Sequence, residues 1–188
     1  MAGDPARKRA TYDDVLRAPE HKVAELIRGS LSLMPRPRPV HTRVASRLGS
    51  RLSPFDDPSG DDPGGWVALD EPELHLGADI VVPDLAGWRR ERMPEIPTDL
   101  AYFVLAPDWC CEVLSPGTEK MDRGEKAEIY AEHGVRHYWL VNADLQTIEV
   151  LRLDGSTYRI VRVFRGSDPV RMEPFEVREM SLDRLWQR

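Results

Sequence analysis

Residues 108–114, DWCCEVL, form an apolar run of strand length that carries one carboxylate, Glu112, in its interior. Side chains alternate along a strand, so Glu112 shares a face with Cys110 and Leu114. An ionised carboxylate among such neighbours is costly unless a cation or a hydrogen-bond donor sits beside it. The run is therefore expected to be an interior strand, with either a buried ion-pair partner or a bound metal at Glu112. Residues 78–88, ADIVVPDLAGW, repeat the pattern, because Ile80, Val81 and Val82 lead through Pro83 to Asp84. If the two strands are neighbours, the two carboxylates converge. Hard oxygen ligands of this kind, completed by a backbone carbonyl and water, suit Mg²⁺ or Mn²⁺.

The remaining chain supplies the other elements of a mixed α/β architecture. Thr11 caps a short helix over 11–16, with Asp14 three residues on. Residues 24–34 read as a hairpin about Arg28-Gly29. Pro35, Pro37 and Pro39 break regularity, and a helix follows over 40–52, where Val44, Leu48 and Leu52 form an apolar stripe. Arg43, Arg47 and Arg51 line an adjacent stripe, open to two readings: phosphate contacts or a solvated face. Residues 53–65 read as a loop, 66–76 and 78–88 as two strands, and 89–107 as a connection with one short helical turn. Pro83 inside the second strand marks an edge or a break in its ladder. Thr118 caps a helix running to 133, which Gly134 terminates. Strands over 135–142, 147–153, 158–164 and 170–175 continue the sheet, and 181–186 closes with a helical turn. The order lacks the regular alternation of a doubly wound fold.

Composition narrows the class further. The 188 residues suit one domain, taken as 11–188 behind a polar, disordered tail at 1–10. No run of 18 apolar residues and no signal-like leader occurs, so a cytoplasmic protein is expected. Cys110 and Cys111 are adjacent and point to opposite faces, so they are expected to be unpaired core residues. The net charge of −6 argues against a protein that coats nucleic acid, though not against an enzyme meeting it through one local basic surface. Neither GxxxxGK nor GxGxxG is present. His21, His75, His133 and His137 have no metal-like spacing and read as structural.

Only 4 of the 26 basic residues are lysines, which makes each one informative. Lys126 lies on the helix that follows the Glu112 strand, with Asp122 and Tyr130 one turn to either side. It is either half of an exposed i,i+4 pair with Asp122 or a cation reaching back to the strand end.

The stretch from Glu112 through Ser115-Pro116-Gly117-Thr118, Asp122, Lys126, Tyr130 and Gly134 to Tyr138-Trp139-Leu140-Val141-Asn142 closely resembles the Uma family of restriction-endonuclease-like proteins. Glu25-Leu26-Ile27-Arg28-Gly29, Pro39-Val40-His41 and Pro83-Asp84 match that family's upstream landmarks in order. The resemblance covers about residues 11–153 and implies a PD-(D/E)XK core. Such a core has a mixed central sheet flanked by helices, here with added C-terminal strands. It further implies Asp84, Glu112 and the Val113 carbonyl as metal ligands and Lys126 as a relocated catalytic lysine. Glu25 and His41 would support the site. Position 114, two residues after the glutamate, is leucine, so the usual ExK spacing is broken. Asn142 stands where an acidic residue is common and is expected to be structural.

The function so implied is a Mg²⁺- or Mn²⁺-dependent endonuclease hydrolysing phosphodiester bonds in DNA. A homodimer would let two such sites address two strands. The rival is a catalytically inactive nuclease fold that binds nucleic acid or regulates. A metal enzyme acting on a small phosphate ester is a more remote third.

Overall fold

The computed structural model describes residues 9–187. The expected disordered tail falls mainly on residues 1–8, outside the described residues. Ala10 is tied down, its N–H donating to the Gly29 carbonyl at 3.0 Å. Helix α1 (Tyr12–Leu16) starts at a capping box between Thr11 and Asp14, as the sequence indicates. Strands β1 (Lys22–Ile27) and β2 (Ser30–Pro35) then pair antiparallel about Arg28-Gly29. Both turn residues have positive φ, 50° and 76°, the geometry of a tight two-residue hairpin.

Helix α2 spans Pro39–Asp56, four residues beyond the expected end. The segment 53–65 reads as loop from its Asp, Pro and Gly content, yet its first four residues are helical. Phe55 is buried with Val44, Leu48 and Leu52, and this burial carries the helix through the proline. Pro54 forfeits only its own N–H bond.

Strands β3 (Trp66–Asp70), β4 (Leu74–Leu76), β5 (Asp79–Val81) and β6 (Leu85–Arg89) replace the two long strands expected from the sequence. They are one bent hairpin. The register that pairs Asp70 with Leu85 runs unchanged to pair Leu74 with Val81, yet β3 and β6 belong to one sheet and β4 and β5 to another. Pro83, which has no N–H, and Glu71, at φ 47°, make the bend. No helix forms over 89–107; Phe103 instead bridges to Leu74.

Strand β7 (Trp109–Val113) leads into α3 (Glu119–Met121), a π-helical turn (Asp122–Lys126) and α4 (Ala127–Glu132). Gly134, at φ 73°, ends this helix. Strands β8 (His137–Asn142), β9 (Thr147–Asp154) and β10 (Thr157–Arg165) follow. The strands expected over 170–175 and the helical turn over 181–186 do not form. A two-residue pairing of β11 (Pro169–Val170) with β12 (Met180–Ser181) stands in their place.

The main sheet has the order β10-β9-β8-β7-β6-β3 and is mixed, because β7 and β8 run parallel across the helical crossover. Helix α2 packs on one face, with Leu48 and Leu52 against Trp66, Trp109, Cys111 and Trp139. Ile129 and Tyr130 of α4 pack on the other, with Cys110 and Tyr138. The adjacent cysteines are free and buried on opposite faces, as the strand period requires. A smaller sheet has the order β2-β1-β5-β4 and is joined to the main sheet by the bent hairpin. Among the described residues no helix is long and apolar enough to cross a membrane.

Leu48 has no exposed surface at the centre of the α2 interface. Leu48→Ala is expected to cost about 2–5 kcal/mol and to lower the melting temperature by on the order of 10 °C, measured by scanning calorimetry.

Candidate active site

The bend at Pro83 is where the chemistry collects. A ladder interrupted inside a protein leaves main-chain groups that need partners. The Val82 N–H donates to Glu25 Oε1 at 2.8 Å, and the Val82 carbonyl accepts from Lys126 Nζ at 3.3 Å. The Asp84 carbonyl accepts from the Glu71 N–H at 3.1 Å. The break thus binds the first strand, the bend and the crossover helix together.

Because β6 pairs antiparallel with β7, with Leu85 opposite Cys111, Asp84 arrives at the end of β7. Its Oδ2 accepts the Val113 N–H at 2.7 Å. Glu112 projects from the same strand end and is 3% exposed. Its Oε1 receives Lys126 Nζ at 2.7 Å and the Tyr130 hydroxyl at 2.8 Å. Lys126 also reaches Glu25 Oε1 at 2.9 Å and lies 4.0 Å from Asp122 Oδ1. His41, on the first turn of α2, sets Nε2 3.2 Å from Asp84 Oδ2. Asp84, Glu112, Lys126, Glu25 and His41 therefore line one cleft of about 440 Å³. The Lys126–Asp122 pair is buried rather than exposed.

Asp122 belongs to the same cleft and is not among the site residues expected from the sequence, although it lies one turn before Lys126. A regular helix would set residues 122 and 126 about 40° apart around its axis. The π turn over 122–126 changes that rotation, and both side chains are buried. The displaced Asp122 carbonyl accepts the Tyr138 hydroxyl at 2.9 Å. Thr118 provides no side-chain cap, and its hydroxyl pairs with Ser115 Oγ at 3.0 Å.

Four carboxylates share one ammonium and one imidazole, and electrostatics follow from that imbalance. Burial pulls the Lys126 ammonium toward neutrality, but Glu112, Glu25 and Asp122 outweigh it and hold the proton firmly. Burial raises the Glu112 carboxyl well above the usual carboxylate range, with Lys126 opposing and the other acids adding. Burial likewise lifts Asp122 to about 6. The His41 imidazole is raised as well: burial opposes its charge, and Asp84 together with the Val113 main chain prevails. Nδ1 of His41 is buried without a hydrogen-bond partner.

The donor set suits a divalent cation. Among the described residues no three carboxylate, imidazole or thiolate side chains stand in ligand geometry. Asp84, Glu112 and the Val113 carbonyl, the set the family resemblance implies, could hold such an ion only with water filling its remaining positions, as Mg²⁺ is often bound. An excess of buried carboxylates is the charge that such an ion neutralises.

Arg43, Arg47 and Arg51 lie outside the cleft; Arg43 is exposed, and Arg47 and Arg51 are half-buried. Arg43 Nε donates to the Gln187 carbonyl at 3.3 Å, and Arg47 donates to the carbonyls of Arg184, Leu185 and Gln187. Arg51 donates to those of Ser181 and Asp183. The stripe fastens the C-terminal segment to α2. Asn142 caps the β8–β9 turn, its Oδ1 accepting the Leu145 N–H at 2.9 Å.

A mixed sheet with a helix on each face and carboxylates gathered where one strand bends defines a restriction-endonuclease-like chain of nuclease type. The chain belongs to the Uma2 family, described as "putative restriction endonuclease", whose family model matches residues 10–183. It is also similar to the crystal structure of a putative nuclease of DUF820 from Anabaena variabilis ATCC 29413. That match has 26% identity and a TM-score of 0.74 over 94% of this chain and 97% of the other. No curated protein matches.

Two predictions follow from the cluster's charge. Lys126→Met leaves Glu25 and Glu112 buried without their cation and is expected to cost about 3–5 kcal/mol in denaturant unfolding. The second concerns Asp122, whose carboxyl titrates near 3.8 when unfolded and near 6 when folded. Between those values the folded state holds the extra proton, so stability falls as pH rises, and it levels off above about 6. In EDTA, Asp122→Asn is therefore expected to gain on the wild type as pH rises from 4 to 6. A pH-independent difference in unfolding free energy would contradict the assignment.

Proposed function

We propose that the chain is a divalent-metal-dependent endonuclease that hydrolyses phosphodiester bonds in DNA. The observation that carries this reading is the convergence of Asp84 and Glu112 at one strand end beside a buried, charged lysine. Family membership and the nuclease-titled structural neighbour support it.

Each residue has a part that follows from its contacts. Asp84 and Glu112 would hold Mg²⁺ or Mn²⁺ together with the Val113 carbonyl. A cation so held lowers the pKa of bound water and offsets charge on phosphoryl oxygens. Lys126 places a fixed positive charge beside Glu112, suited to orienting an attacking water and stabilising charge that grows on the phosphate. Glu25 fixes Lys126 through one oxygen while using that oxygen to hold the Val82 N–H. Tyr130 fixes the orientation of Glu112, and His41 that of Asp84. The broken ExK spacing is thus made good in space: position 114 is leucine, and the crossover helix returns Lys126 to Glu112 at 2.7 Å.

The test is nicking of supercoiled plasmid by the full chain. Cleavage is expected with Mg²⁺ or Mn²⁺ and not with EDTA. Asp84→Asn and Glu112→Gln are each expected to lower the rate at least about 100-fold while circular dichroism shows them folded. Cleavage that persists in EDTA, or in folded variants at the wild-type rate, would overturn the reading.

A further inference from the structure

The cleft that holds the acidic floor is framed on one side by the segment Pro35-Arg36-Pro37-Arg38-Pro39, which joins β2 to α2. Alternate prolines fix the backbone near φ −65° and favour an extended course. Arg38 is extended at φ −67°, ψ 152°. Two residues apart on such a segment, Arg36 and Arg38 are separated by about 6 Å of chain, a spacing of the same order as successive phosphates on a nucleic-acid strand. Both line the mouth of the cleft and both are exposed.

Neither arginine is committed elsewhere in the way Arg47 and Arg51 are. One nitrogen of Arg36 donates to the Glu20 carbonyl at 3.0 Å, leaving further guanidinium donors free. Arg38 stands 4.0 Å from Asp144, with both side chains 68% exposed, an ion pair that contributes little. Between rim and floor the walls are apolar, with Val23, Met34 and Met121 among them. Methionine and valine walls accept the sugar and base of a nucleotide without specifying it. An acidic floor alone repels a polyanion, so a substrate that must bring a phosphate to Glu112 needs positive charge beside the approach.

We propose that Arg36 and Arg38 form a rigid phosphate clamp that grips the nucleic-acid backbone flanking the phosphate presented to the cleft floor. This rests on the nuclease reading for the identity of the ligand and assigns its binding surface. The rigid segment carries the clamp's energetic advantage, because prolines order the arginines before the strand arrives.

The probe is a fluorescein-labelled DNA oligonucleotide, with binding followed by anisotropy against salt in Ca²⁺-containing buffer. The double variant Arg36→Ala, Arg38→Ala is expected to bind at least about 10-fold more weakly. Its slope of log affinity against log salt is expected to be shallower by about 1.4–1.8, two phosphate contacts' worth. Arg36→Lys, Arg38→Lys should restore the slope, since charge rather than shape sets it. Arg159→Ala, an exposed arginine on β10, should leave it unchanged. In Mn²⁺ cleavage assays the double alanine variant should raise KM and retain kcat, with an unaltered melting temperature.

An unchanged slope in a folded double variant overturns the clamp, as does an equal loss in Arg159→Ala or no binding by the wild type. Cleavage by the wild-type chain judges the nuclease reading separately. A clamp failure with cleavage intact therefore differs from a chain that never cleaves.

Discussion

The Lys126 ammonium is the contact on which the rest of the site depends. It touches Glu25 from β1, Glu112 from β7 and the Val82 carbonyl at the bend between β5 and β6. Each of those groups would be costly to bury alone: two are carboxylates and the third is a carbonyl released by the strand break. One cation of 3% exposure satisfies all three, and the three together keep it charged. The smaller sheet, the main sheet and the crossover helix therefore meet at a single nitrogen atom. The same contact sets the position of Glu112, because its Oε1 is committed to Lys126 and Tyr130.

The charge distribution around this contact is directional. Burial, with the neighbouring acids adding and Lys126 opposing, makes Glu112 and Asp122 hold their protons more tightly than free acids do. The proposed divalent cation would offset that buried negative charge. Around it the arginines divide into two groups. Those on α2 are bound to main-chain carbonyls of residues 181–187, whereas Arg36 and Arg38 stand at the cleft mouth. Net charge hides that division, since −6 for the whole chain says nothing about where the exposed arginines lie.

Much of the site was legible because its residues violate the pattern around them. Glu112 and Asp84 each stand in or just after an apolar run, where a carboxylate is expensive, and Lys126 is a lysine in a chain that otherwise prefers arginine. The hairpin at Arg28-Gly29 and the stop at Gly134 were legible for a local reason, the positive φ their turns require. Long-range features were not. The bent hairpin keeps its register across Pro83, so alternation reads as two continuous strands even though each strand changes sheet halfway. Helix α2 outlasts Pro54 because Phe55 packs against Phe175, which lies far away in sequence. Asp122 enters the cleft through a π turn, and no period written for a regular helix anticipates it. The arginine stripe docks on a segment 130 or more residues downstream, so its spacing on the helix could not separate phosphate contact from main-chain contact.

Calorimetric titration of Mn²⁺ into the full chain, beside the Asp84→Ala, Glu112→Ala double variant, tests most directly whether this carboxylate cluster is a metal site. Saturable binding by the wild type that disappears in the folded variant is the expected result. An absence of binding heat in the wild type, or the same isotherm in both proteins, would contradict it.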